Sequence, residues 1–275
     1  MKFLVTGCSG FIGRAVTRQL LEEGNDVLGI SRQESGISHP RFTACLSDFT
    51  CWGLLEGPAR NFQPDHVIHA AWYRTHDYSE QACRINLLAG LNLLAFAFSL
   101  PSVKNVTALG SCLEFSPDLT WFSWCKESLA KYGTLHAGST GKGFRWLRIF
   151  YAYGPGQREA ALIPSLVKAG WNGKPLECSK PDNVCDFIHV DDVANAIVKA
   201  SYHMSPDALF LDCGSGTARR LRDVATCVEG VFQGLRMEPS AVDGFAADIA
   251  LPGRSIGWTP RISLADGISQ LVSRV

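Results

Sequence analysis

The chain of 275 residues carries 26 acidic and 26 basic residues, so its formal net charge is zero. This balance argues against binding to nucleic acid or to an anionic membrane surface. The length suits one large α/β domain, alone or with a small additional lobe.

The 10 cysteines are scattered along the chain, without a C-x-x-C pair or a paired Cys/His spacing. We therefore expect reduced thiols and no metal site. The N-terminus runs directly into an apolar segment, which predicts that there is no signal peptide, and no apolar run is expected to reach membrane-spanning length. These features predict a soluble, cytoplasmic protein.

The first thirty residues predict a dinucleotide site. An apolar run at residues 2–6 is followed by Gly7, Gly10 and Gly13 in a G-x-x-G-x-x-G spacing, by a helical apolar period, and by a second apolar run at 26–30. Strand, glycine turn, helix and strand form the context that a dinucleotide fingerprint requires. Gly7 permits the tight turn, Gly10 lets main chain approach a pyrophosphate, and Gly13 lets the helix pack on the strand.

The phosphates are expected at free N–H groups of the helix N-terminus, where the helix dipole favours negative charge. A glycine-rich turn in another kind of α/β protein is the alternative. The residues predicted to line this part of the cofactor site are Gly7, Ser9, Gly10, Phe11, Ile12 and Gly13.

The end of the second strand bears on the choice of cofactor. Ser31 and Arg32 stand where an acidic residue would accept a hydrogen bond from the 2′-hydroxyl of an NAD ribose. Because both are donors suited to a 2′-phosphate, the sequence favours NADP over NAD. The alternative is an exposed Arg32, with NAD held by main chain.

Strands and helices alternate along the rest of the chain, which is typical of a parallel α/β sheet. The loop at residues 72–78 follows a central strand and is rich in aromatic and titratable side chains, so we expect it to contact the substrate. Strands are predicted at residues 41–45, 65–71, 103–109, 144–150 and 208–213, and helices at 79–100, 193–204, 219–234 and 264–272, with a short helix ending at 169.

The glycine spacing resembles that of the extended short-chain dehydrogenase/reductases, the NAD(P)-dependent epimerase/dehydratase family. Residues 65–71, 148–157, 186–193 and 256–260 are similar to further motifs of that family, so the resemblance covers nearly the whole chain. It implies a Rossmann-type doubly wound parallel sheet with a small C-terminal substrate lobe. The dinucleotide-binding domain would comprise 1–157 plus 186–215, and the lobe 158–185 plus 216–275.

The resemblance also implies further cofactor contacts. Asp48 matches an Asp that contacts the adenine, with capping of the following helix as the alternative. Asn86 matches an Asn of the family, and small side chains at Ala70 and Ala71 let main chain pass close to the cofactor. His69 is expected to be a packed strand residue. The other implied cofactor contacts are Phe49, Trp72, Lys126 and Phe150.

The implied catalytic residues include one departure. Ser111 takes the position of a family hydroxyl that bonds a substrate oxygen, and Lys126 that of the lysine of Tyr-x-x-x-Lys. Phe122 stands where that motif has its tyrosine, and a phenyl ring cannot donate a proton. Tyr151, at a position where the family has Asn, is the first candidate to replace this proton donor, and Tyr73 is the second. Aromatic packing is the alternative role for Tyr151.

The resemblance implies an NAD(P)-dependent reductase or epimerase acting on a keto group of a nucleotide sugar. Cys185 stands where the family has a substrate-binding arginine, so a related, smaller carbonyl compound stays open as substrate. A catalytically silent NADP-binding or sensor protein is one alternative, and a redox-neutral elimination enzyme with a retained cofactor is another. Family members often dimerise through the helix at 79–100 and the next long helix, which predicts a homodimer.

Overall fold

The computed structural model describes residues 1–51, 53–176, 178–235 and 237–273. The strands are β1 (Lys2–Thr6), β2 (Asp26–Ser31), β3 (Phe42–Leu46), β4 (His66–His69), β5 (Asn105–Ser111), β6 (Gly143–Ile149), β7 (Tyr151–Tyr153), β8 (Val184–His189), β9 (Ala208–Cys213) and β10 (Ala218–Arg220). The helices are α1 (Phe11–Glu22), α2 (Gly53–Phe62), α3 (Glu80–Ser99), α4 (Trp121–Thr140), α5 (Leu162–Trp171), α6 (Val190–Tyr202), α7 (Leu221–Phe232), α8 (Ala250–Ile256) and α9 (Leu264–Val272), and Cys112–Phe115 form a 3₁₀ turn.

The main sheet confirms the predicted Rossmann-type doubly wound fold. Its seven strands are ordered β3-β2-β1-β4-β5-β6-β9, and the pairings from β3 through β5 are parallel. The chain runs outward from β1 to β3, then returns to pair β4 against the other side of β1. In sheets of this kind, ligands bind at the carboxyl ends of the strands where the order reverses. The ends of β1 and β4 therefore mark the expected cofactor crevice.

The chain divides into two compact units, 1–148 plus 194–211 and 149–193 plus 212–275. The predicted lobe, 158–185 plus 216–275, falls wholly in the second unit. That unit also takes segments assigned by the sequence to the dinucleotide domain, because β7, β8 and β10 form a separate three-stranded sheet in the order β10-β8-β7. Apolar side chains of α5, α7 and α9 pack against this sheet.

A buried carboxylate joins three segments of the second unit. Asp186, fully buried on β8, accepts hydrogen bonds from the main-chain N–H groups of Ser215 (2.7 Å), Gly216 (3.0 Å) and Ala247 (3.0 Å). The hydroxyl of Ser215 donates to the same carboxylate at 2.5 Å. Four donors satisfy the charge, so the carboxylate is tolerated away from water.

Several predicted boundaries were wrong. The segment predicted as a helix at 219–234 begins with strand β10, because residues 218–220 pair antiparallel with β8. The helix predicted to start at 193 starts at Val190, and the strand predicted to end at 109 continues to Ser111. Helix α8 was not predicted. Short strands defined by a distant partner leave little local signal.

The expectation about membrane-spanning length was also wrong. Helix α3 has 20 residues, and its most apolar 18-residue stretch has a mean hydropathy of 1.4. By length and composition alone, this helix could cross a membrane. The stretch is 61% buried within the protein, and a side chain at Gly90 would meet Leu129 of α4 at 2.7 Å. Close packing on α4 accounts for this apolar composition, as expected of a core helix in a globular domain.

Arg145 clamps the far edge of the first unit. Its fully buried guanidinium donates to the carbonyl oxygens of Phe144 (2.9 Å), His203 (2.7 Å), Ser205 (2.7 Å) and Asp207 (2.6 Å). Burial lowers the pKa of Arg145 to about 10, so the group stays charged at neutral pH. Strand β6 is thereby tied to the turn between α6 and β9.

We expect Arg145→Met to lower the free energy of unfolding by about 3 kcal/mol or more, because buried carbonyl groups would lose their donor. Arg41→Met is the matched control, since Arg41 forms an exposed ion pair with Asp26 at 3.2 Å, and its loss should change stability by less than about 1 kcal/mol. Urea unfolding followed by circular dichroism measures both. Equal midpoints for the two variants would show that the clamp contributes nothing.

Candidate cofactor and catalytic site

The turn after β1 has the geometry that its glycines predict. Gly7 has φ 75°, a left-handed conformation, and its N–H donates to Ile30 O at 2.8 Å. A Cβ on Gly7 would lie 2.9 Å from the main chain of Ala71. Only glycine fits where the first turn passes the end of β4 this closely.

The start of α1 leaves room for a phosphate. A Cβ on Gly13 would overlap the carbonyl oxygen of Gly7, so this residue keeps the helix against the turn. Gly10 is the N-cap without a side-chain cap, and the first turn of α1 holds no acidic residue. A Cβ on Gly10 would meet only Gly7 O, at 3.1 Å. Exposed N–H groups at an uncompensated helix N-terminus fit the pyrophosphate of a dinucleotide. Around this turn lie the half-exposed residues Ser9, Phe11 and Ile12.

Ser31 and Arg32, at the end of β2, differ in whether their side chains are free to donate a hydrogen bond to a ligand. Ser31 is buried, and its hydroxyl donates to Gln33 O at 2.7 Å, so its proton is committed within the protein. Arg32 is exposed, and its guanidinium lies 5.3 Å from the ring centroid of Tyr73. Of the two predicted donors, Arg32 is therefore the one that can reach a ligand.

Asp48 caps a turn rather than a helix. Its Oδ1 accepts from the N–H of Thr50 at 2.9 Å, and α2 begins only at Gly53. Phe49 is buried, with its ring centroid 5.5 Å from that of His69. His69 bonds Thr6 Oγ1 through Nδ1 at 2.8 Å, and burial together with the Lys126 charge lowers the pKa of His69 to about 3. His69 is thus a neutral, packed strand residue.

The loop after β4 is fastened to α3 through Asn86. The buried Asn86 accepts from Tyr73 N at 2.6 Å and donates to Tyr73 O at 2.9 Å and to Ala82 O at 2.8 Å. Both amide hydrogens are used in these bonds. Asn86 therefore positions the loop that carries Trp72, and its implied cofactor contact stays a prediction.

Lys126 lies buried on α4, beside the ends of β4 and β5. Its Nζ donates to Leu109 O at 2.7 Å and lies 4.0 Å from the ring centroid of Trp72, a cation–π contact. Burial lowers the pKa of Lys126 to about 8, and the negative charge of Glu114 opposes this shift. The lysine thus keeps much of its charge in a site that β4, β5 and α4 build together.

Phe122 lies one helical turn before Lys126, next to the N-cap Thr120. Its ring centroid is 5.1 Å from that of Trp72 and 4.5 Å from that of Tyr78. The structure thus brings the phenol-bearing Tyr78 against Phe122. Sequence reasoning had not selected Tyr78 as a proton donor, because a loop residue gives no sign of its neighbours.

Ser111 ends β5 and begins the 3₁₀ turn. Its Oγ accepts from Leu113 N at 3.2 Å, and its own N–H donates to Glu114 Oε1 at 2.7 Å. Glu114 also accepts from the indole N–H of Trp146. Sequence reasoning missed Glu114 and Trp146, although Gly110 before the strand end was a possible signal of close approach.

An open cavity of about 730 Å³ adjoins Phe122 in the first unit. No side chain in its lining carries a charge. The lining residues are Tyr78, Leu113, Ser116, Leu119, Thr120, Trp121, Phe122 and Trp124.

Two predicted site residues belong to the second unit. Tyr151 is 42% exposed, and its ring centroid lies 5.9 Å from that of Phe187. A hydrogen bond with Tyr151 opposes the rise in the pKa of Cys185 that burial causes. Phe150 is buried and stacks on Phe245, with ring centroids 5.2 Å apart. Among the described residues, no group of three or more His, Cys, Asp or Glu could hold a metal ion.

Comparisons with known proteins agree with this geometry. The family model described as NAD dependent epimerase/dehydratase family matches residues 3–209. The UDP-glucose 4-epimerase of Mycolicibacterium smegmatis is 24% identical over 310 aligned residues, covering 99% of this chain and 97% of the relative. The dTDP-L-rhamnose 4-epimerase of Burkholderia thailandensis is 32% identical over 345 aligned residues, covering 98% of this chain and 93% of the relative.

Solved structures share the fold. MoeE5 in complex with UDP-glucose and NAD superposes with a TM-score of 0.83 at 24% identity, covering 99% of this chain and 97% of its own. The Bordetella bronchiseptica enzyme WbmF in complex with NAD+ gives 0.82 at 20% identity, covering 98% and 91%. The matched family model and the extent of the related sequences show that the chain belongs to the NAD-dependent epimerase/dehydratase family and is an enzyme of the extended short-chain dehydrogenase/reductase type.

Proposed function

We propose that the protein is an NAD(P)-dependent reductase or epimerase that acts on a keto group of a nucleotide sugar or a related carbonyl compound. The observation that carries this proposal is the Lys126 ammonium, held by Leu109 O and the Trp72 ring at the sheet edge that also carries the Gly7 turn. A bound nicotinamide would supply the hydride transfer. The names of relatives and solved neighbours, which include UDP-glucose 4-epimerase and MoeE5 with UDP-glucose, support the substrate class.

Residues of the first unit would bind the cofactor and the substrate. Lys126 would hold the nicotinamide ribose through the ammonium hydrogens that Leu109 O does not use. Ser111 would bond the substrate oxygen, since its hydroxyl proton is not needed for the bond from Leu113 N. The Gly7 turn and the N-terminus of α1 would bind the pyrophosphate.

We further propose that Phe122 occupies the position of the family's catalytic tyrosine and that another phenol supplies the proton. Tyr151 is the first candidate, because it is exposed and begins β7, the short strand that comes after β6 in the chain. Tyr73 is the second candidate. Tyr78 joins them because its ring lies 4.5 Å from that of Phe122.

The test is a panel of nucleotide sugars and small carbonyl compounds, followed by nicotinamide absorbance and by product NMR. We expect turnover of at least one nucleotide sugar, and Tyr151→Phe should lower kcat by about 10² or more, in line with loss of a general acid. Adding Phe122→Tyr should restore part of that loss. Tyr73→Phe and Tyr78→Phe are the matched variants.

Full turnover by Tyr151→Phe would remove Tyr151 from the mechanism. A wild-type protein that binds NADP(H) but converts no member of the panel would contradict the proposed function and favour the silent cofactor-binding alternative. Product formation without net change in nicotinamide absorbance would select epimerisation or redox-neutral elimination over reduction.

We also propose that the site prefers NADP(H) to NAD(H). Support comes from the exposed Arg32 at the end of β2, where no carboxylate stands to accept from a ribose hydroxyl. Because the Ser31 proton is given to Gln33 O, Arg32 would carry most of the preference.

We expect Arg32→Ala to weaken NADPH binding about 10-fold, because one charge-assisted hydrogen bond contributes about 1.5 kcal/mol or more. NADH binding should change less than about 2-fold. Isothermal titration calorimetry with both cofactors gives the comparison, and Arg41→Ala, which removes an exposed charge paired with Asp26 at the opposite end of β2, is the control for general loss of positive charge. Equal weakening of NADPH and NADH would rule out a role in selection.

We propose, finally, that the protein is a cytoplasmic homodimer formed through α3 and α4. Leu88 of α3, Trp124 and Leu135 of α4 are 57%, 45% and 73% exposed, which supports an interface there. All 10 cysteines are free thiols, which supports a reducing compartment.

Light scattering should give twice the 30.0 kDa chain mass, and Leu135→Glu should shift the mass towards 30.0 kDa by placing a charge in the interface. Lys168→Glu, at an exposed position on α5 paired with Glu159 and outside the proposed interface, is the control. A wild-type mass of 30.0 kDa would refute the dimer. Oxidised cysteines in freshly lysed cells would refute the compartment.

A further inference from the structure

Glu114 makes contacts that the proposed chemistry has not yet used. It lies in the 3₁₀ turn after β5, where its Oε1 accepts from Ser111 N at 2.7 Å. The indole N–H of Trp146 donates to the same carboxylate, with distances of 3.2 Å to Oε1 and 3.0 Å to Oε2. Trp146 is 1% exposed and belongs to β6, the strand beside β5. The carboxylate therefore links the end of one strand to the next.

Gly110, next to Ser111 in the chain, leaves room for the contact between Glu114 and Trp146. A Cβ on Gly110 would lie under 3.0 Å from both Trp146 Nε1 and Glu114 Oε1. Only glycine leaves the space that the carboxylate and the indole occupy together. Gly110, Glu114 and Trp146 thus form one packed arrangement, which we call the Glu114 bridge.

The Glu114 bridge fixes Ser111 at two points. Glu114 holds the Ser111 N–H, while Leu113 N donates to Ser111 Oγ at 3.2 Å. With both ends of the residue held, the hydroxyl oxygen has a defined position at the end of β5. Its proton takes part in neither bond and can be donated to a substrate oxygen.

We propose that Glu114 is a positioning residue, which aims the Ser111 hydroxyl at the reacting oxygen of the substrate through its bonds to Ser111 and Trp146. This inference rests on the proposed function, because it assigns Ser111 a substrate oxygen to bond. A misplacement of about 1 Å in such a group can lower a rate by about 10².

The same carboxylate acts on Lys126 through its charge. The titratable groups that influence Lys126 are Glu114 and the thiols of Cys83 and Cys125, and Lys126 in turn influences His69, which is neutral. Burial lowers the pKa of Lys126 to about 8, and Glu114 is the first of the groups that oppose this shift. Burial raises the pKa of Glu114, and the hydrogen bonds from Ser111 and Trp146, followed by the charges of Lys126 and Arg148, oppose this rise. Removal of the negative charge should therefore lower the pKa of Lys126 further.

The decisive variant is Glu114→Gln, which keeps the size of the side chain and removes its charge and one acceptor. We expect kcat to fall about 10- to 100-fold, while the Kd for NADPH at pH 7 changes less than about 3-fold. Wild-type activity should decline as pH rises through about 8, where Lys126 loses its proton. In Glu114→Gln this decline should begin at lower pH, because the charge that favours the ammonium is gone.

Two further variants separate the positioning of Ser111 from the effect of the Glu114 charge on Lys126 and from a loss of folding. Trp146→Phe removes the indole donor but keeps the carboxylate, so it should lower kcat and leave the alkaline decline where the wild type has it. Glu127→Gln, the next residue after Lys126 on α4, removes an exposed carboxylate paired with Lys131 and should match the wild type in both readouts. Thermal unfolding of each variant reports whether it folds.

If Glu114→Gln and Trp146→Phe both keep wild-type kcat and an unchanged pH profile, Glu114 does not position Ser111, and the proposed function stands. If Glu114→Gln lowers kcat with an unmoved alkaline decline, the charge effect on Lys126 is refuted. A wild type that turns over none of the carbonyl panel overturns the proposed function itself, and this inference with it.

Discussion

The candidate site depends on a positive charge kept away from water. Transfer of an ammonium group into a protein interior costs several kcal/mol unless it is paired, yet Lys126 is only 8% exposed. Leu109 O at 2.7 Å and the Trp72 ring at 4.0 Å contact the ammonium directly. Glu114 adds a charge of opposite sign. The positions of β5, the loop after β4 and the 3₁₀ turn are therefore all constrained by one nitrogen atom.

This constraint explains why the loop after β4 is held so firmly. Trp72 can support the ammonium only while its ring stays in place, and Asn86 secures the adjoining main chain with two hydrogen bonds to Tyr73. Phe122 packs edge-on against the Trp72 ring at 5.1 Å, and its own ring centroid lies 5.7 Å from Lys126 Nζ. Beyond Phe122 the uncharged cavity begins. The Lys126 ammonium thus contacts a main-chain carbonyl of β5 on one side and the Trp72 and Phe122 rings on the other.

How much was predictable from the sequence depended on how local the signal was. The glycine turn, the first strands and α9 could be predicted because spacing and periodicity report directly on them. Glu114 could not be assigned, because its partner Trp146 lies 32 residues away on the next strand. Strand β10 was missed because it exists only through pairing with β8. The predicted role of Ser31 as a donor to cofactor stays a prediction, with the Ser31 hydroxyl bonded to Gln33 O in this structure.

The Asp186 carboxylate carries a consequence for the motions of the second unit. The amides of Ser215 and Gly216, which are neighbours, share this single acceptor with the amide of Ala247, about thirty residues further along the chain. Neither segment can leave without exposing a buried anion that the other must then satisfy alone. The two segments are therefore expected to open together as one cooperative unit, not one after the other.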